Sequence, residues 1–306
     1  MYKIGFLGSD NSHVERFSEI INLTNHAKYW RGSNARVTSI WGEDQKVTKD
    51  MAEYGNIEKI ESTPEEVVSN SDIVFVITRR PEKHLEYAKY VIAKNKPLFV
   101  DKPITQTVSE AKELIQLVKQ SNVCMTSFST LRFSSDTVSH INQLNTIGDI
   151  TYANYLGPFS REKGLLFYGI HIIELMLHIH GVSVESVYAI EHPQNGHKRN
   201  VQAICRYNNG SLVSLTFIGD GTYKFQMTAL GSNGIINTEI ITKGLMKRHG
   251  TTSYDFYQVG IEKIMSILTG KEKNPISFTQ MLRGIQIASA IQRSLSEKIE
   301  VNPINL

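Results

Sequence analysis

Through the first 128 residues, short unbroken apolar runs alternate with stretches of helical periodicity, and no other feature restricts the fold as much. Residues 3–7, 36–41, 73–77, 98–100 and 124–128 read as strands. Between them, Ser12 with Glu15 forms a capping-box signature ahead of Val14, Phe17, Ile20 and Ile21 at helical spacing. Residues 46–54 predict a helix stopped by Gly55, and Thr63-Pro64-Glu65-Glu66 supplies a cap, a first-turn proline and a third-position glutamate for the next. Residues 81–94 and 109–119 are helical in pattern as well. A run as apolar as 73–77 suits a strand covered on both faces. Strands alternating with helices imply right-handed crossovers, hence an α/β fold with a Rossmann-type doubly wound parallel sheet.

The rhythm changes beyond about residue 122. Residues 136–144 and 165–180 look helical; strand-like segments follow at 186–191, 201–207, 212–218, 224–230 and 235–241. Their connections are the turns Asn208-Asn209-Gly210, Gly219-Asp220-Gly221 and Gly231-Ser232-Asn233-Gly234, and helical patterns at 254–268 and 278–296 close the chain. Consecutive strands joined by hairpins predict a C-terminal α+β domain with an open, mostly antiparallel sheet. Single cores stop growing near roughly 250–300 residues, so 306 residues suit two domains, placed at 1–122 and 123–306.

Composition narrows the partners. With 41% hydrophobic and 21% charged residues, no stretch approaches the roughly 20 apolar residues of a membrane span. A formal charge of +3 without any Lys/Arg-rich run leaves no footprint for nucleic acid, so small molecules are the expected partners. Met1-Tyr2-Lys3-Ile4-Gly5 enters a strand at once, without the charged and apolar regions of a signal peptide, from which a cytoplasmic location is expected. Cys124 and Cys205 both lie in apolar strand-like stretches and are expected to be buried reduced thiols.

Three stretches carry candidate chemistry. The run Leu98-Phe99-Val100 stops at Asp101-Lys102-Pro103, delivering one ammonium to the carboxyl end of a strand, where open α/β sheets place their ligands. Pro103 withholds an N–H and fixes φ behind Lys102, and the alternative is a solvated strand-end lysine. The second stretch is the turn after the first strand, Gly8-Ser9-Asp10-Asn11-Ser12-His13, where a dinucleotide fold carries G-x-G-x-x-G. Only Gly8 matches. Either Asn11 and Ser12 leave helix-terminal N–H groups for a phosphate, or the Asp10 carboxylate fills that helix N-terminus itself and repels a pyrophosphate. The second strand ends Trp41-Gly42-Glu43-Asp44, so the acid expected to hold a ribose is displaced by one residue to Glu43. The third stretch is the helix at 165–180, where His171, Glu174 and His178 share a face at about 100° per residue. Glu174 can there support His171 as a general base; a core histidine satisfied by a carboxylate is the alternative. The spacing is not that of a zinc helix, and no metal is expected.

Taken in order, these stretches resemble the Gfo/Idh/MocA oxidoreductases, the family of glucose-fructose oxidoreductase and inositol dehydrogenase. Asp101-Lys102-Pro103 resembles the family's Glu-Lys-Pro motif, and Gly169-x-His171-x-x-Glu174 the later part of its Asp-x-Gly-x-His-x-x-Asp motif. The segment from Thr78 to His84, the pair Arg132-Phe133, and the closing helix with Ser294 also match the family's order. The resemblance implies NAD or NADP held by Gly8, Ser9, Asp10, Asn11, Ser12, His13, Glu43, Thr78, Arg79, His84, Asp101 and Lys102. It implies hydride transfer at a carbinol carbon of a sugar, cyclitol or related polyol, with Lys102 polarising the reacting oxygen, His171 exchanging its proton and Glu174 in support. It also implies a homodimer or homotetramer formed through the C-terminal sheet. Phe167 stands where the family has an aspartate, and Arg79-Arg80 where it tends to have Thr-Pro. A non-catalytic ligand-binding relative, its cofactor loop overwritten by Asp10 and His13, is the alternative from another class.

Overall fold

The computed structural model of the chain describes residues 1–160, 164–193, 199–219, 224–240, 247–248, 251–252 and 256–306. The first stretch runs β1 (Tyr2–Leu7), α1 (Ser12–Ile21), β2 (Ala35–Trp41), α2 (Gln45–Tyr54), β3 (Lys59–Ile60), α3 (Pro64–Asn70), β4 (Ile73–Val76), α4 (His84–Ala93), β5 (Leu98–Val100), α5 (Val108–Ser121) and β6 (Met125–Thr126). Then come α6 (Ser135–Leu144), β7 (Ile150–Phe159), α7 (Leu165–Tyr168), α8 (Ile170–His180), β8 (Val184–Pro193), β9 (Arg199–Tyr207), β10 (Leu212–Gly219), β11 (Phe225–Gly231) and β12 (Gly234–Ile240). The chain ends with α9 (Phe256–Leu268) and α10 (Phe278–Glu297).

Two compact units result: Met1–Phe128 with Tyr257–Ser277, and Ser129–Phe256 with Phe278–Leu306. In the first, six strands pair in the order β3-β2-β1-β4-β5-β6, all parallel. This is the doubly wound order, whose direction reverses between β1 and β4. Every residue of β4 and β5 is buried, as helices on both faces require. Caps set the helix starts: Asp44 accepts from Lys46 and Val47 N–H before α2, Thr63 precedes Pro64 of α3, and Thr107 with Glu110 closes a reciprocal capping box on α5. The cap of α1 is Asn11, one residue ahead of the Ser12 expected from the sequence; its side chain accepts from His13 N–H.

The segment Tyr257–Ser277 returns to this unit and finishes its short edge strand. Asn274 Nδ2 donates to the Met125 carbonyl at 3.0 Å, Thr126 Oγ1 donates to Asn274 Oδ1 at 3.3 Å, and the Tyr257 ring meets His13 edge-on at 5.4 Å. Both cysteines are free thiols, but Cys124, just ahead of β6, is exposed rather than buried. Cys205 is fully buried, and burial pushes its thiol up to about 12.

The second unit holds a mixed six-stranded sheet in the order β12-β11-β7-β10-β9-β8; β7 and β10 are parallel and the other neighbours antiparallel. The central strand β7 has no counterpart in the sequence-based reading. Its Asn154, Gly157 and Pro158 disguise it, and Gly157 is there because a Cβ would come within 2.6 Å of Ile172 of α8 and 3.0 Å of the Phe225 ring. The expected helix 165–180 is broken at Gly169, where a Cβ would collide with the Leu165 carbonyl oxygen. Helices α8 and α10 pack together, while the outer face of the sheet leaves Tyr152, Tyr188, Ile190, Ile204, Leu212, Leu230 and Ile235 exposed. Among the residues named in the sequence analysis, Asp220, Gly221, Ile241, Tyr254 and Asp255 lie outside the described residues.

Candidate active site

Backbone hydrogen bonds lace the carboxyl ends of the parallel strands together. Gly8 N–H donates to Trp41 O at 2.8 Å, Ile77 to Leu7 O at 2.8 Å and Asp101 to Val76 O at 2.9 Å. The loops after β1, β4 and β5 therefore meet at the switch point, where open α/β sheets bind their ligands. Gly8 has φ +112°, and a Cβ there would collide with the Thr78 backbone nitrogen, so only glycine allows this approach.

Asp10 does not fill the N-terminus of α1. Its Oδ1 accepts from Thr78 Oγ1 at 3.1 Å and from Arg79 N–H at 2.9 Å, drawing the carboxylate to the loop after β4. Asn11 caps the helix instead and donates through Nδ2 to Asp101 Oδ2 at 2.9 Å. His13 Nδ1 lies 2.8 Å from the same oxygen, off the line of a hydrogen bond. Asp101 Oδ1 accepts the Lys102 N–H at 2.8 Å, and Lys102 Nζ stands 4.0 Å from Oδ2. Burial alone would raise the Asp101 carboxyl, but the facing His13 and Lys102 charges hold it well below the usual range. Lys102 itself is only 12% exposed.

His84 is buried and bridges two loops, with Nδ1 2.8 Å from Pro103 O and Nε2 3.0 Å from Thr78 O. The Lys102-Pro103 peptide is cis. Ser9 and Thr48 share a hydroxyl hydrogen bond of 2.8 Å, and a Cβ on Gly42 would collide with Ser9. Glu43 is clasped by Arg80 Nη1 at 2.6 Å and Tyr87 OH at 2.7 Å, with Lys83 at 3.9 Å. Burial and the Glu43 carboxylate together raise the Tyr87 phenol far above its ordinary value. Tyr87 carried no signal in the sequence, being one more apolar position of an amphipathic helix. Arg79 projects an exposed side chain beside this loop.

In the second unit, His171 Nδ1 lies 2.6 Å from Ser129 Oγ, and Phe225 packs edge-on against its ring at 5.6 Å. Glu174 Oε2 accepts Ser129 N–H at 2.6 Å and faces Arg132 Nε at 3.3 Å. Arg132 is 2% exposed; burial lowers its guanidinium and Glu174 opposes that fall. His178, the third ionisable residue of this helix, is depressed to about 4 by burial and then by Arg132. Among the described residues no group of three His, Cys, Asp or Glu side chains gathers as a metal set. Phe167 packs on the Tyr168 ring at 4.5 Å.

Comparison with known proteins follows this geometry. Residues 16–128 match the family model of the GFO_IDH_MocA proteins, an oxidoreductase family with an NAD-binding Rossmann fold. Over this stretch the chain is similar to the Gfo/Idh/MocA oxidoreductases. The chain is 26% identical over 179 residues to the uncharacterized oxidoreductase YhhX of Escherichia coli, an alignment covering 54% of this chain and 52% of that protein. It thus spans about half the length of this curated relative. In fold it resembles a probable dehydrogenase from Thermotoga maritima, with a TM-score of 0.83 at 17% identity, covering 99% of this chain and 100% of the other. It also resembles scyllo-inositol dehydrogenase from Lactobacillus casei, solved with NAD(H) and scyllo-inositol, with a TM-score of 0.82 at 15% identity over 99% of each chain. Asp101-Lys102-Pro103, which resembles the family's Glu-Lys-Pro motif, lies at the carboxyl edge of the parallel sheet of the first unit. Among the described residues no helix is long and apolar enough to cross a membrane.

Proposed function

We propose that this protein is an NAD(P)-dependent oxidoreductase moving a hydride to or from a carbinol carbon of a sugar, cyclitol or related small polyol. The observation that carries the reading is the lysine at the end of β5: a shielded ammonium, fixed through Asp101 to the cofactor loop, at the switch point of a parallel sheet. The residues fit a dinucleotide. The left-handed Gly8 brings the turn flush against Thr78, and the positive end of α1 is capped by a neutral amide, leaving it open to a phosphate. Glu43 stands one residue past the ribose position, and Ser9, Ser12 and Arg79 offer further polar contacts.

The nicotinamide, when bound, supplies the hydride chemistry. In the oxidising direction the carbinol carbon loses a hydride as its hydroxyl loses a proton, and a carbonyl forms. Lys102 hydrogen-bonds the reacting oxygen and stabilises its developing negative charge, while His171 takes the proton. Acid–base help of this kind contributes roughly 10² to 10⁴ in rate. Glu174 supports His171 indirectly, by holding the Ser129 backbone and the Arg132 guanidinium. The exposed apolar face of the second sheet supports a homo-oligomer formed there: register places Leu212 and Leu230 on either side of Tyr152, and Tyr188 opposite Ile204.

Calorimetry with NAD and NADP up to millimolar concentration tests the reading, together with Lys102→Ala and His171→Ala. Each variant is expected to keep the wild-type circular dichroism and lose turnover. Absence of binding by either cofactor overturns it. The second reading, a non-catalytic ligand binder, draws support from Asp10, whose carboxylate is satisfied by its own loop neighbours. It requires wild type to bind no cofactor and Asp10→Gly to gain binding.

A further inference from the structure

We infer that Ser129 is the positioning residue of His171: its hydroxyl sets which ring nitrogen carries the proton and thereby makes Nε2 the nitrogen that exchanges protons with substrate. The inference rests on the dehydrogenase reading for its catalytic consequence, but not for its structural one. Ser129 is fully buried and is held at three points. Its backbone N–H donates to Glu174 Oε2 at 2.6 Å, its Oγ accepts Leu131 N–H at 3.3 Å as the cap of the turn Thr130–Phe133, and the same Oγ lies 2.6 Å from His171 Nδ1.

A hydroxyl has two acceptor lone pairs and one hydrogen. With one lone pair taken by Leu131, the other accepts Nδ1–H in the arrangement inferred; Oγ–H donating to Nδ1 would instead give an Nε2-protonated ring, and that tautomer in wild type overturns the inference. The imidazole then keeps its Nδ1 proton in both the neutral and the cationic ring, and gain or loss of a proton falls to Nε2. The ring cannot swing to the other arrangement cheaply, because Phe225 packs against it at 5.6 Å. Glu174 and Arg132 fix Ser129 in turn, so the buried ion pair acts on His171 through a serine. In this chain the position four residues before His171 is the apolar Phe167, which offers no carboxylate to orient the ring.

The experiment compares wild type, Ser129→Ala and Ser129→Thr, all as full-length protein with ¹⁵N-labelled histidine. In wild type the His171 ring is expected to show a predominantly Nδ1-protonated tautomer across its neutral range. Ser129→Ala is expected to lose that preference, to reduce kcat about 10- to 100-fold with KM changed less than about threefold, and to shift the histidine limb of the pH–rate profile. Ser129→Thr keeps the hydroxyl and is expected to restore the tautomer and most of kcat. A Ser129→Ala protein with an unchanged tautomer signal and an unchanged pH profile overturns the inference. So does loss of kcat in Ser129→Ala and Ser129→Thr alike, with the tautomer retained. A wild-type protein that turns over no polyol sinks the dehydrogenase reading alone, since the tautomer measurement requires no cofactor.

Discussion

Replacing Glu174 by alanine strands the Arg132 guanidinium, which is 2% exposed and has Glu174 as its carboxylate neighbour at 3.3 Å. Breaking a buried ion pair from one side costs about 3–5 kcal/mol, because the remaining charge stays desolvated. The Ser129 N–H loses its acceptor in the same change, a penalty of about 1–3 kcal/mol that is counted within the measured total rather than added to it. Glu174→Ala is therefore expected to lower the midpoint of thermal unfolding by on the order of 10 °C for a chain of this size. The double change Arg132→Met with Glu174→Leu removes both charges and fills similar volume; it is expected to recover most of the loss, to within roughly 1–2 kcal/mol of wild type. Urea titrations of wild type, Arg132→Met, Glu174→Leu and the double give the coupling energy directly. A Glu174→Ala cost under about 1 kcal/mol, or additive single variants, refutes the argument, for it means that the guanidinium finds water when its partner goes.

Stability should also fall in acid through His178 and His180, whose burial depresses each to about 4. The unfolded side chains bind a proton below about 6.5, so the unfolded state takes up protons that the fold excludes, and stability declines as pH falls from about 6.5 towards 4. Each contributes on the order of 1–3 kcal/mol, and His178→Asn should flatten its share of the slope in melts between pH 7 and 4. Gly8→Ala meets both an unfavourable φ and the Thr78 backbone, so it should abolish measurable dinucleotide binding by calorimetry and cost roughly 1–3 kcal/mol of stability. Tyr188 and Ile190 expose apolar surface on the outer strand of the open sheet; on the proposed homo-oligomer formed through this face, Ile190→Asp should shift the distribution towards monomer in sedimentation velocity, and an unchanged distribution, or a monomeric wild type, overturns that proposal.

The sequence was most informative where one residue's own chemistry decides the local structure. Asp44, Thr63 and Thr107 mark helix starts because their side-chain oxygens satisfy orphan N–H groups wherever the chain goes next. The cap of α1 was misplaced by one residue, since Asn11 and Ser12 are both competent and only the packed loop chooses between them. The turn Gly231–Gly234 was legible for the same local reason, whereas β7, with Gly157 and Pro158 breaking its pattern, was not. Lys102, His171 and Glu174 stand out in the sequence by their chemistry. Ser129 does not, for a serine in a hydroxyl-rich stretch looks like any other until a histidine 42 residues away arrives at its oxygen.

By itself the sequence determined the parallel sheet, because each strand's apolar run and each helix's period are set by side chains within a few residues. It also determined which residues stand at the carboxyl edge of that sheet, since strand ends are local. What only the tertiary structure decided is how those residues are paired. Asp10 turns to the loop after β4, Asp101 gathers Asn11, His13 and Lys102, and Glu174 reaches His171 by way of Ser129. Such pairings join positions up to about 90 residues apart, and a buried charge or polar group takes whichever partner the packed backbone brings within about 3 Å.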